Sequence, residues 1–201
     1  MKDINNSFDF DSRGWNINFQ NLLPPERNVY PYPSQYDKLF ESPGEKYACL
    51  FYSVDEYRMG AEAGLIGIFE SKGHPLLVVN PKNQWFDYRG KSSVAFVDNF
   101  IFVRKLAYNQ DEKLSGTPFV VFDMAKKAFG FIDFDWSSIY YSPVRVLNTI
   151  FKFNVDEATQ SDYLALRHTE EFDIAAIRYY PFEQAHNLMQ LYFDEKRGQV
   201  K

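Results

Sequence analysis

Short apolar runs separated by turn-forming residues recur along most of this chain. From Tyr47 onward, Cys49–Tyr52, Leu65–Phe69, Leu76–Val79, Trp85–Tyr88, Val94–Val97, Phe100–Val103, Phe119–Phe122 and Phe129–Phe134 read as strands. Separators such as Ser71-Lys72-Gly73-His74-Pro75 and Asn80-Pro81-Lys82-Asn83 are turn sequences. Between the first two runs, Tyr57, Met59, Ala61, Ala63 and Leu65 alternate with polar or small residues. Gly60 and Gly64 each weaken a helix by roughly 1 kcal/mol relative to Ala, so Val54–Gly64 is expected to be a strand with a bend. After Pro181, Phe182, Ala185, Leu188, Met189 and Tyr192 recur at helical spacing. They predict a helix over 182–194 that docks its apolar face on the sheets.

Two stretches nearly repeat. Pro75-Leu76-Leu77-Val78-Val79-Asn80 precedes Trp85-Phe86-Asp87-Tyr88, and Pro118-Phe119-Val120-Val121-Phe122-Asp123 precedes Phe129-Gly130-Phe131-Ile132, at an offset of 43 residues. Ser92-Ser93-Val94 is echoed by Ser137-Ser138-Ile139. A weaker third copy runs through Ile150–Val155, Tyr163–Leu166 and Ile174–Ile177, with His168 in the place of Asp123. Units of this length are blade-like, but three are too few for a closed propeller, which has four to eight blades. The expected fold is therefore mainly β: an open, propeller-like antiparallel meander of blade-like sheets with a C-terminal helix. Generic meander patterning is the competing explanation of the repeat.

The first 46 residues differ from the rest. Phe8, Phe10, Trp15, Ile17 and Phe19 alternate around Ser12-Arg13-Gly14, which predicts a hairpin. Leu22-Leu23-Pro24-Pro25 and Tyr30-Pro31-Tyr32-Pro33 follow. Proline fixes φ and removes a donor, so this stretch is expected to be an extended strap outside any regular sheet. The division expected is residues 1–46 as hairpin and strap, then a single β-rich domain over 47–201.

Composition narrows function more than fold. Of 201 residues, 45% are hydrophobic and 18% aromatic (20 Phe, 14 Tyr, 3 Trp), enough for a real core and for contact-making surfaces. A net charge of −5 argues against nucleic-acid binding, which needs Lys and Arg to displace counterions. With no apolar signal core, no run of membrane-spanning length and a lone cysteine, the expectation is a cytoplasmic protein without membrane attachment.

The search for chemistry turns up little. Cys49 sits in the apolar run Tyr47-Ala48-Cys49-Leu50-Phe51, where a thiol is normally an inert core group. His74, His168 and His186 lack the spacing of metal ligands. Asp133 and Asp135 flank Phe134, as Asp9 and Asp11 flank Phe10, so each pair shares one strand face. Such a pair can raise a pKa or hold a hard cation, but more often it is a solvated face. No nucleotide-binding loop, nucleophile elbow or calcium loop is present. No cofactor is expected.

The segment Lys46-Tyr47-Ala48-Cys49-Leu50-Phe51-Tyr52-Ser53-Val54-Asp55-Glu56-Tyr57-Arg58-Met59-Gly60 resembles a pattern in small bacterial proteins of the toxin-immunity kind. The resemblance extends over about 35 residues, to Pro81. It contains no mechanistic motif and carries over no functional residue. It implies a non-enzymatic inhibitor that covers a cognate toxin. The aromatic load and acidic groups, including Asp111, Glu112, Asp156 and Glu157, suit such a role by anchoring and steering a basic partner. The candidate partner-binding residues are Tyr30, Tyr32, Asp55, Glu56, Tyr57, Arg58, Asp133 and Asp135. A monomer is expected over a homodimer. The competing readings are a small-molecule or glycan-binding β module and a carboxylate-dependent enzyme.

Overall fold

The computed structural model describes residues 7–10, 15–18, 38–58, 61–70, 75–79, 86–88, 93–104, 119–132, 143–158, 165–185, 187–189 and 191. They are mainly β. The chain divides into two compact units, Met1–Tyr88 and Arg89–Lys201.

The first unit begins with β1 (Ser7–Phe10) and β2 (Trp15–Asn18), an antiparallel pair in the register Phe10↔Trp15. Its main sheet has the order β3 (Lys38–Glu41), β4 (Tyr47–Arg58), β5 (Ala61–Glu70), β6 (Pro75–Val79). β3 lies inside the segment 1–46 and pairs with β4, so sheet pairing crosses the expected boundary at residue 46. The turn between them has a local cause. Pro43 supplies a fixed φ and Gly44 adopts φ 78, the combination a type II turn requires. The Glu45 N–H donates to the Ser42 carbonyl at 2.9 Å, and the buried Ser42 hydroxyl accepts from the Tyr47 N–H at 2.8 Å.

The expected bent strand at Val54–Gly64 is instead a reversal. Arg58 pairs with Ala61, and β5 runs back along β4 through two register shifts. β7 (Phe86–Tyr88) also departs from expectation. It does not extend a meander beyond β6 but pairs with β5. Ile66 pairs with Val79 and Gly64 with Phe86, so β6 and β7 lie end to end along one edge of β5.

The second unit holds two stacked sheets. One has the order β15-β11-β10-β9-β8, from β8 (Val94–Val97), β9 (Phe100–Arg104), β10 (Phe119–Asp123), β11 (Ala128–Ile132) and β15 (Tyr180–Pro181). The other is β12 (Val144–Leu147), β13 (Ile150–Ala158) and β14 (Ala165–Asp173). Alternation sends Phe102, Phe119, Val121 and Ile132 to one face, where they meet Phe151 and Phe153 of β13 in a shared core. Phe102 lies 5.2 Å from Phe151 and 5.8 Å from Phe153, ring centre to ring centre. The opposite face of the larger sheet is also apolar. Ile101, Val103, Val120, Phe122 and Phe129 are fully buried there, and Phe182 meets Phe122 edge-on at 6.1 Å.

Of the expected third copy, Ala165 and Leu166 begin β14 and Tyr163 and Leu164 lie outside the described residues, whereas Ile174–Ala176 is a 3-10 turn and not a strand. The reason lies in spacing. Ile174 and Ile177 are both buried in the core between the sheets. Residues three apart share a side in a 3-10 turn but oppose each other in a strand. His168 lies within β14, opposite Val155, and has no structural correspondence to Asp123, which ends β10 at a turn. The predicted C-terminal helix begins as a 3-10 turn, Phe182–Gln184, and among the described residues beyond it Ala185, 187–189 and Leu191 are helical. Phe182, Ala185 and Met189 form its buried side.

Gly130 permits one close crossing. A Cβ there would lie 2.3 Å from Ile177 Cγ2 and 3.0 Å from the Arg178 carbonyl oxygen. The chain leading into β15 can lie across β11 only because that position has no side chain.

Candidate interaction surface

The hairpin of β12 and β13 presents the clearest surface feature. β12 is an edge strand of its sheet. Val146 is 47% and Leu147 63% exposed, two of the three large apolar residues most open to solvent among the described residues. A register shift between Arg145 and Leu147 leaves Val146 without a partner position on β13. Such a bulge kinks an edge strand and re-aims its side chains.

This tip is braced on both sides. Arg145, next to Val146, lies over the Phe100 ring at 5.6 Å and the Phe151 ring at 5.3 Å. Its Nε meets Asp98 Oδ2 at 3.1 Å. Asp98 sits at φ 53 in the tight turn between β8 and β9, a left-handed conformation that Asp tolerates better than most residues. The turn of one hairpin is thereby tied to the edge strand of the other. At the far side of the tip, the Thr149 carbonyl accepts from the Ile174 N–H at 2.9 Å. Asp173 holds the same junction: a hydrogen bond from Thr149 and one from the Ala175 N–H, at 2.9 Å, depress its pKa below the usual value. The apolar pair is therefore carried on fixed backbone, the condition under which an anchor residue binds with little loss of freedom.

The adjoining sheet face is polar. Cross-strand partners Lys152 and Glu171 lie on it, and Ile150 is partnered with Asp173. Among the side chains described on it, the exposed acids are Glu171 and Asp173.

The residues singled out from sequence are placed differently. Asp55, Glu56, Tyr57 and Arg58 form the last stretch of β4, with Asp55 opposite Ala63 and Glu56 opposite Glu62. Tyr30, Tyr32, Asp133 and Asp135 lie outside the described residues, as do His74 and His186. The missed residues are Arg145, Val146 and Leu147. Their signal was the apolar-basic-apolar run Val144-Arg145-Val146-Leu147 ending in Asn148-Thr149, a strand and turn without an acidic or aromatic residue to draw attention.

No protein-family model matches the chain, and no curated protein or solved structure matches it significantly.

Cys49 and Asp123 have structural work. Cys49 is fully buried, and burial pushes its thiol far above the ordinary value, so the nucleophilic thiolate is suppressed. Asp123, 2% exposed, is held by its own turn. Its Oδ1 accepts from the Ala125 and Lys126 N–H groups at 3.1 Å each, and its Oδ2 meets Lys126 Nζ at 3.1 Å. Burial, with a smaller contribution from the Asp123 charge, raises the Tyr179 phenol above its ordinary value. Among the described residues, no group of three or more His, Cys, Asp or Glu side chains is placed to hold a metal ion, and no helix is long and apolar enough to cross a membrane.

Proposed function

We propose that this chain is a non-enzymatic binding protein that takes hold of a protein partner through the Val146–Leu147 tip. The observation that carries this reading is a solvent-exposed apolar pair on a hairpin braced by Arg145–Asp98 and by the Thr149 junction. Exposed apolar surface rimmed by polar groups marks contact sites, and a rigid support lets such a site bind with little loss of freedom. The exposed acids on the adjoining face suit a partner with basic groups at the rim of the contact.

Within that reading, the toxin-immunity resemblance of residues 46–81 favours a bacterial toxin domain as the partner, neutralised in the cytoplasm by one copy of this chain. The net charge of −5 supports a protein partner over nucleic acid. The test is co-expression with a secreted toxin domain encoded by the adjoining gene. Growth rescue and a co-purifying complex are expected. Leu147→Asp should weaken that complex about 30-fold, as loss of a hot spot of roughly 2 kcal/mol does. Absence of both rescue and complex overturns the immunity reading. A complex indifferent to Leu147→Asp overturns the placement of the surface.

A further inference from the structure

We infer that the hairpin of β1 and β2 is a latch, seated on the first unit by Trp15 and able to open while the sheet beneath it stays folded. Among the described strands, β1 and β2 pair only with each other. A two-stranded ribbon is marginal in water by itself, so this one depends on its docking.

Trp15 supplies a buried docking contact to the sheet beneath. Trp15 is 1% exposed and lies in the cluster of Leu39, Ala48, Leu50, Tyr52 and Phe69. Its ring meets Phe69 edge-on at 6.3 Å, and its indole N–H donates to the Glu41 carboxylate. A tryptophan unites large apolar burial with one directional donor, and both are satisfied here by β3, β4 and β5. The sheet does not depend on the hairpin in the same way. β3 to β6 are joined through continuous backbone ladders.

Alternation along β4 separates two events. Ala48, Leu50 and Tyr52 face Trp15, whereas Cys49 and Phe51 face the other side. Opening the latch uncovers the first face and leaves the Cys49 thiol, the only one in the chain, covered. Local opening below the global unfolding limit has this signature in hydrogen exchange.

The test uses the full chain under native conditions. Amide exchange is followed in Ser7–Phe10 and Trp15–Asn18 and compared with Cys49–Tyr52 and Ile66–Phe69, while alkylation of Cys49 is timed in parallel. The latch predicts hairpin exchange at least about 10-fold faster than exchange in β4 and β5, with Cys49 alkylation following the slower class. Trp15→Ala should speed hairpin exchange by about 100-fold or more, in line with the loss of a buried tryptophan, and leave Cys49 alkylation unchanged. Hairpin and sheet exchanging at one rate in the native protein overturns the inference. So does a Trp15→Ala chain in which Cys49 alkylation accelerates in step with the hairpin, or one that loses its fold altogether.

Discussion

The stretches Pro75–Tyr88 and Pro118–Ile132 share a sequence pattern but are used differently. In the second, β10 and β11 form a hairpin in the register Asp123↔Ala128 around the turn 124–127. In the first, β6 and β7 do not pair; both lie along β5. The common pattern therefore specifies which residues form strand, and nearby polar groups and glycine decide what each strand pairs with. In the second copy Asp123 gathers two N–H groups and a lysine into a turn. Lys127 completes it at φ 49, and the Phe182 N–H donates to the Lys127 carbonyl at 3.0 Å.

The largest effects should come from what the copies share. Phe86 and Phe129 occupy the same place in the pattern, and both are buried. Replacing either by Ala should cost about 3–5 kcal/mol, the range for a buried Phe. Chemical denaturation of the two variants would measure this. A cost below about 1 kcal/mol at one of them would show that the repeat does not encode equal burial.

A smaller effect separates the copies. Gly130 corresponds to Asp87 in the first copy, so the repeat itself does not call for glycine at this place. The 2.3 Å approach of Ile177 does. Gly130→Ala should destabilise by about 1–3 kcal/mol through forced displacement of Ile177 and Arg178. Ile177→Ala in the same chain should recover part of the loss, because the two changes share one contact. Additive costs in the double variant would remove the crossing as the explanation.

How much of this was legible follows from what each pattern can carry. The strands β8 to β11 are legible because runs such as Phe119–Phe122 are short, rich in Val and Phe and bounded by turn residues, although burial on both faces leaves no periodicity to read. The reversal between Arg58 and Ala61 is not, because alternation says which face a residue takes but not which way the chain runs. β3 is hard to read because Leu39 and Phe40 are a short run, although Pro43-Gly44 is a usable turn signal. Ile174 and Ile177 looked like strand residues by propensity; their spacing of three was the better guide. The interaction surface was hardest to foresee. Exposure of Val146 and Leu147 depends on their place at a sheet edge, and the bracing of Arg145 depends on Asp98 and Phe100 from another hairpin. Neither is a property of local sequence.

The smallest predicted effect concerns the turn that makes the second copy a hairpin. Asp123→Ala removes the acceptor of the Ala125 and Lys126 N–H groups and the partner of the Lys126 ammonium. Lys126 is 70% exposed, so water replaces its partner and that loss is minor. The backbone groups matter more, since losing a side-chain acceptor of this kind costs about 1 kcal/mol. Asp123→Asn keeps a carbonyl oxygen in the same place and should recover most of the loss, whereas a loss caused by the missing charge would not be recovered. The Asn variant thus tells whether geometry or charge holds the turn. If Asp123→Ala also leaves the register Phe122↔Phe129 intact in amide exchange, then strand burial alone suffices to form the hairpin. The difference between the two copies would then lie in what β5 offers β7, not in the turn of the second copy.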